Sequence, residues 1–339
     1  MSNTSEAHRA GETSMMSGSR RAMLATLAVG ALGATRSFAQ DFPTRPVRLV
    51  TPFEAGTIAD VLARTVAQGL TAKWKHAVVV ENRPGAGGII GAAAVAGAAP
   101  DGHTLLMGTS GTQAINPSLH AKLPYDAAKG FAPIAQVATG YSLLVVHPSV
   151  PAKSVSELIA FAKAKPGQLS FGSGGIGTTP HLAGELFKSM TGVEINHVAY
   201  KGSASSVIDL LEGRIQMIFA NVPSVQPHLQ AGKLRVLGVT TPQRVAQFPE
   251  VPTISEAGVP GFAAELWLGL FAPAGTPARV VEQISQQVHT DLAQEAIVRS
   301  YAAKGVAIKT SSPAAFAGYV REETVKWAKV VKAAGAKAE

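Results

Sequence analysis

Residues 169–191, LSFGSGGIGTTPHLAGELFKSMT, set a short apolar run, a loop of glycines and small hydroxyl residues, and an amphipathic stretch in immediate succession. The run predicts a strand over 169–172, and Pro180 in the first turn of the amphipathic stretch predicts a helix over 180–191. The same order of strand, Gly/Ser/Thr loop and helix recurs at PFEAGTIAD (52–60), GTSGT (108–112) and YKGS (200–203). In parallel α/β sheets such loops lie at the carboxyl ends of strands, where ligands bind. A helix starting there presents unpaired N–H groups and a partial positive charge, and glycine lets an anion approach them closely. Each loop taken singly also fits a short turn with an ordinary N-cap. Four of them in one chain point to a cleft lined by backbone donors and small hydroxyls.

Outward from this stretch the alternation continues. Strands are predicted over 47–52, 77–81 and 104–108, with helices over 59–72 and 89–99 between them. A second series opens with a strand over 142–147, and Ser154 with Glu157 forms a capping box for a helix reaching Lys165. Beyond the quoted stretch come a strand over 195–199, a helix over 204–211, a strand over 215–220, a helix over 225–231 stopped by Gly232, and a strand over 234–240. After a proline-rich stretch over 248–261, a strand over 265–272, a long helix over 277–293 and a strand over 306–309 follow. Ser312 and Pro313 then start a closing helix to residue 333. The pattern predicts an α/β chain of two lobes, each a mostly parallel sheet flanked by helices. The chain is expected to cross between them near 134–141 and 261–266, so that residues 40–140 plus 264–339 form one lobe and 141–263 the other.

The 339 residues are 46% hydrophobic and 15% charged, with 34 Gly and 21 Pro in no fixed period, which excludes a disordered or collagen-like chain. The lack of cysteine excludes disulfide, zinc-ribbon, iron–sulfur and thiol chemistry. Arg20 and Arg21, an apolar small-residue stretch over 22–35 and Ser37-Phe38-Ala39 follow the order of a secretory signal peptide over 1–39. SRRAML at 19–24 also resembles a twin-arginine signal, so both export routes stay open. This apolar run is shorter than the roughly 20 residues of a membrane span, and no later run is longer. Formal net charge is +8, and +6 without residues 1–39. Lys and Arg are scattered and aromatic residues amount to 6%, unlike the basic stripe of a nucleic-acid binder and in keeping with anionic small molecules.

Gly172, Gly174 and Gly177 formally match the dinucleotide fingerprint, but the next strand ends in Ala199-Tyr200-Lys201 with no acid for a ribose, Glu194 lying ahead of it. Neither Ser110 nor Ser173 is central to a G-x-S-x-G elbow, and no Ser–His–acid set emerges from spacing. The histidines form no H-x-x-x-H pair and none falls in a carboxylate cluster, so neither a metal nor a cofactor is expected. His181, just past the glycine loop, reads equally as a ligand contact and as a surface residue at a helix start.

FPTRPVRLV (42–50), VENRPGAGG (80–88), APDGHTLL (99–106), HVAYKG (197–202), AGKLR (231–235), FPEVPT (248–253) and WAKVVK (327–332) resemble, in order, the Bug family of TctC-like periplasmic solute receptors of tripartite tricarboxylate transporters. The resemblance spans essentially the whole chain after residue 39. It implies a two-lobe periplasmic-binding-protein fold, type II-like, whose cleft closes on a small organic acid without turning it over. It also implies a periplasmic monomer that delivers the acid to the membrane permease subunits and has no nucleic-acid partner.

By the same resemblance, Phe53, Glu54, Gly56, Thr57 and Asp60 of the first loop and Ser173, Gly174, Gly177 and Thr178 of the third clamp one carboxylate from opposite lobes. Ser110, Gly111, Thr112, Tyr200, Lys201, Gly202, Ser203, Asn221 and Pro223 line the rest, with His181 beside them. The family's first loop reads P-[FY]-x-x-G-G-x-x-D, so Glu54 and Thr57 replace a small residue and the second glycine. Thr57 takes positive φ less freely than glycine; a Glu54 facing the cleft would repel an anion or select a ligand with a neutral or cationic end, and Glu54 reads equally as a solvated residue at the loop rim. Ala220 stands where many members carry Asp, which favours a ligand without an amino group there. Two other roles stay open at this stage: a receptor signalling to a sensor kinase, and a secreted α/β hydrolase using Ser110 or Ser173.

Overall fold

The computed structural model describes residues 42–200 and 203–337; the predicted signal segment over 1–39 lies outside the described residues. Strand β1 (Val47–Thr51) buries Val47, Leu49 and Val50 and feeds helix α1 (Ile58–Trp74), whose Leu62, Val66 and Leu70 recur at helical spacing on its buried face. Strand β2 (Val78–Asn82), helix α2 (Ile89–Ala96) and strand β3 (Thr104–Thr109) complete a parallel unit, β1 pairing with both β2 and β3. A π-turn at Gly111–Ile115 and the short helix α3 (Asn116–Leu119) lead to β4 (Phe131–Gly140).

A second sheet begins one residue later. It contains β5 (Ser142–Val146), β6 (Ser170–Ser173), β7 (Asn196–Ala199), β8 (Met217–Asn221) and β9 (Arg235–Val239). Helices α4 (Val155–Ala164), α5 (Thr179–Thr191), α6 (Ser203–Leu211) and α7 (Val222–Gln230) connect these strands. Strand β10 (Leu266–Pro273) returns to the first sheet, followed by α8 (Ala278–Leu292), α9 (Glu295–Ala302), β11 (Val306–Ile308) and α10 (Pro313–Ala334).

The strand orders are β11-β4-β10-β3-β1-β2 and β7-β6-β8-β5-β9. The expectation of mostly parallel sheets is corrected here, because each sheet is mixed. β10 runs antiparallel to β3 and β4, β4 to β11, and β5 to β8 and β9, while β6 is parallel to β7 and β8. The reason is connectivity. A parallel neighbour needs a crossover, whereas β4 passes directly into β5 in the other sheet and β10 returns without one. Residues 134–141, read from sequence as a crossing segment, are mostly the second half of the ten-residue β4, which pairs with β10 across two register shifts.

Local rules explain most boundaries. Ser154 accepts from the Glu157 N–H at 3.1 Å, and Glu157 reaches back to the Lys153 N–H at 2.7 Å, one residue ahead of the position a capping box would use. Gly192 at φ +68° ends α5. The long closing helix is pinned through Glu323, which accepts from the indole N–H groups of Trp267 (3.1 Å) and Trp327 (2.9 Å), all three side chains being buried. One cluster of buried apolar side chains runs from Val50 and Leu106 in the first sheet to Leu144 and Phe171 in the second. Among the described residues no helix is long and apolar enough to cross a membrane.

Candidate functional site

The first loop leaves β1 at Pro52 and enters α1. Gly56 takes φ +84°, while Thr57 is extended at φ −70° and serves as N-cap, its Oγ1 accepting from the Asp60 N–H at 3.4 Å and donating to the Glu54 carbonyl at 2.8 Å. The strain expected at Thr57 is therefore absent, because the left-handed residue is the glycine before it. Asp60, 2% exposed, accepts from the Gly56 N–H (2.9 Å), Arg64 Nε (3.1 Å) and Asn82 Nδ2 (2.9 Å). Burial opposes its ionisation, and these donors with the Arg64 charge outweigh that and hold its pKa below the usual carboxylate value. Asn82 also donates to the Phe53 carbonyl at 3.1 Å, so the VENRPGAGG stretch ties the end of β2 to the first loop.

From the second sheet, residues 174–178 join β6 to α5. Thr178 is the N-cap of α5; its Oγ1 donates to the Gly175 carbonyl at 2.7 Å and accepts from the His181 N–H at 3.4 Å. Behind the loop the Gly177 N–H donates to His181 Nδ1 at 3.0 Å, and Ser173 Oγ lies 2.7 Å from His197 Nε2. The two imidazoles stack with centroids 4.1 Å apart. Burial, with Lys188 nearby and for His181 the second ring, pushes both pKa values down to about 4, so both rings are neutral at pH 7.

These loops meet across one cavity of about 540 Å³. Of the predicted residues, Phe53, Thr57, Gly111, Gly177 and Thr178 line it. It is completed by Ile58, Ala59, Ala86, Gly87, Thr109, Ile115, Asn116, Leu119, His120, Ile176, Thr179, Leu266 and Leu268. A second cavity of about 380 Å³ takes in the predicted Gly56, Asn221 and Pro223 together with Ile58, Val61, Gly140, Tyr141, Val222, Leu266, Lys304, Gly305 and Val306. No Asp or Glu lines either one.

The remaining predicted residues lie elsewhere. Glu54 is exposed and lines neither cavity. Asp60 and His181 sit behind the loops they brace, and the Thr112 hydroxyl is engaged in its own turn, accepting from the Thr109 N–H at 3.0 Å. Ser110 is fully buried between the lining residues Thr109 and Gly111, its Oγ without a partner among the described residues. Ser173, Gly174 and Ser203 border a crevice of about 10 Å³. The Tyr200 hydroxyl donates to Asp209 at 2.8 Å. Lys201 and Gly202 lie outside the described residues.

Several lining residues have little signal in the sequence. Residues 85–88 all take positive φ, and the glycine density of that stretch marks Ala86 and Gly87 as a special turn; Asn116 Nδ2 donates to the Gly87 carbonyl at 3.2 Å and fixes it. Ile115, Leu119, Leu266 and Leu268 look like core residues in the sequence. Ser173 and His197, brought together by β6 and β7, form a pair that spacing did not reveal. Ser173 is 2% exposed, stands outside both cavities and also accepts from the Gly175 N–H, and no carboxylate orients His197 among the described residues. The pair buttresses a loop, and it lacks the access and the acid that a serine nucleophile needs.

Two sheets with a cleft between loops at the carboxyl ends of their strands define a two-lobed α/β binding protein of the periplasmic-binding-protein type. The profile of the family described as "Tripartite tricarboxylate transporter family receptor" matches residues 62–336, and the chain belongs to that family. It is similar to Protein BugT of Bordetella pertussis, 37% identical over 300 residues that cover 88% of this chain and 92% of the relative. Among solved structures it is similar to R. palustris Rpa4515 with adipate, at 40% identity and a TM-score of 0.73, covering 87% of this chain and 99% of that one. It is likewise similar to MatC (Rpa3494) from Rhodopseudomonas palustris with bound malate, at 31% identity and a TM-score of 0.69, covering 86% and 100%.

Proposed function

We propose that this chain is a periplasmic solute receptor, exported through residues 1–39, that captures a small organic acid in the 540 Å³ cavity and hands it to the membrane permease subunits of a tripartite tricarboxylate transporter. The observation that carries this reading is a pair of N-caps, Thr57 of α1 and Thr178 of α5, on the walls of one cavity that no carboxylate side chain lines. The first amides of a helix have no intrahelical partner and carry partial positive charge, so Ile58, Ala59 and Thr179 offer an anion donors from both sheets. The adipate and malate in the two similar structures agree with an acid as ligand. Residues 40–140 with 264–339 act as one lobe and 141–263 as the other, and closure between them buries the ligand. The receptor works as a monomer and turns nothing over.

The test is a thermal-shift screen of the protein from Gln40, refolded to strip carried ligand, against mono-, di- and tricarboxylates. A ligand held only by the folded state adds RT ln(1 + [L]/Kd), about 2.7 kcal/mol at a hundredfold excess over Kd. An acid that raises the midpoint and is recovered unchanged supports the reading. A flat response to every acid, or consumption of one, overturns it.

A further inference from the structure

Helix α5 reaches two hollows. Thr178 and Thr179 at its start line the 540 Å³ cavity, and about 15 Å further along the helix Leu186 and Ser189 form one wall of a groove of about 610 Å³. The facing wall is α10, with Arg321, Val325, Lys326 and Lys329. Between the two hollows runs the segment that passes from the second sheet into β10. Its Ala263 carbonyl accepts from Lys326 Nζ on the groove wall at 3.1 Å, and three residues on Leu266 lines the cavity. Lys326 is held in turn by an ion pair with Glu323, the residue that binds the indoles of Trp267 and Trp327. Helix α10 is thus fixed to the crossing segment and to the first sheet, whose β4 it packs against. Helix α5 instead follows β6 of the second sheet and touches the crossing segment midway along its length, where the Phe187 and Phe262 ring centroids lie 6.3 Å apart.

We infer that α5 is a lever and that the groove between α5 and α10 is a control site for the cleft: whatever widens the groove brings Thr178 toward Thr57 and tightens the hold on the acid. This deepens the receptor reading and rests on it. The crossing segment lies between the two ends of α5, so a turn of the second sheet about it that narrows the cavity opens the groove. A close-packed helix and sheet pass such a turn on as one rigid body instead of absorbing it. The groove has freedom to follow, because its walls are not tied together. The ion pairs of the two helices stay within each helix, Lys188 with Glu185 and Lys326 with Glu323, and none among the described residues joins α5 to α10. Ser189 and Val325, on facing walls, are both exposed, Val325 to 56%.

The chain has no cysteine, so Ser189→Cys places a single thiol at the groove. It is capped with methanethiosulfonates of growing size, from methyl to benzyl, and Gln286→Cys at an exposed position of α8 serves as the control. Adipate binding is followed by calorimetry, and the radius of gyration without acid by X-ray scattering; if adipate does not bind, the same series is run with the acid that the thermal-shift screen returns. Where the acid binds the closed form alone, apparent affinity rises in proportion to the share of that form, so the benzyl cap at Ser189 should tighten binding by about threefold or more over the methyl cap and reduce the radius. Neither quantity should respond to the cap at Gln286. Val325→Trp, which adds bulk from the opposite wall, should act as the benzyl cap does. Affinity or radius indifferent to cap size at Ser189, or weaker binding with the larger cap, overturns the inference and leaves the receptor standing. Failure of the uncapped protein to bind any acid overturns both.

Discussion

His181 illustrates how a residue chosen from its place in the sequence acquires its role from what it touches. Its ring accepts from the Gly177 amide and stacks on His197, so it sets the shape of the loop that lines the cleft. Both rings are held near a pKa of about 4, against an ordinary value of 6.5. Between those values the unfolded chain binds more protons than the folded one, so stability is complete above about pH 6.5 and falls as pH drops toward 4. The slope is at most about 1.4 kcal/mol per pH unit for each ring, and less for the partly exposed His197. Lys188 adds repulsion as the rings charge, tempered by its pairing with Glu185. Urea midpoints should therefore be level near neutrality and decline through this window. His181→Asn, which keeps an acceptor near the Nδ1 position, should flatten the decline; an undiminished decline in that variant contradicts the assignment. Glu54 makes the complementary case, since it lines neither cavity. Glu54→Ala is expected to leave the order of preference among acids unchanged in competition assays, and a new preference would place its carboxylate in the cleft after all.

At the scale of elements, what was legible followed from local rules. Strands β1 and β3 and helices α1 and α5 sit within a residue or two of their predicted bounds because apolar spacing, N-caps and stop glycines are read along one stretch of chain. Strand β4 was not legible, because its partner β10 lies more than a hundred residues away and Pro133 obscures its alternation. Helix α9 and the π-turn after β3 escaped for a similar reason, their shape being set by neighbours. Close packing of helix on sheet rests on residues that look neutral in sequence. A Cβ on Gly184 of α5 would come within 2.2 Å of the Phe171 ring of β6. Gly184→Ala should cost about 1–3 kcal/mol of unfolding free energy by overpacking, and it should also weaken acid binding, because α5 carries Thr178. Wild-type stability with wild-type affinity in this variant would show that α5 shifts freely on the sheet.

Over the whole molecule, residues 43–339 cluster as a single compact unit; among the described residues one cluster of buried apolar side chains spans both sheets and another, with Leu143, Val145 and Ile218, packs on the opposite face of the second sheet. Heating is therefore expected to give one cooperative transition by calorimetry, moving upward as a single peak when acid is added. Two resolved peaks would mean that the lobes unfold independently. The amino-acid sequence by itself determined the alternation of strands and helices, the four small-residue loops, the mild positive charge and the family. Those features depend on residues close together in the chain, where backbone geometry and side-chain period act directly. Tertiary structure alone decided which of those loops share a cavity, that Glu54 stands outside it and His181 behind it, and that Lys304 joins Asn221 at a second cavity. Most of these arrangements join residues far apart in the chain, as Ile58 and Leu266 on one cavity wall, and they exist only once sheet order and the antiparallel strands β4, β5 and β10 have brought distant segments together.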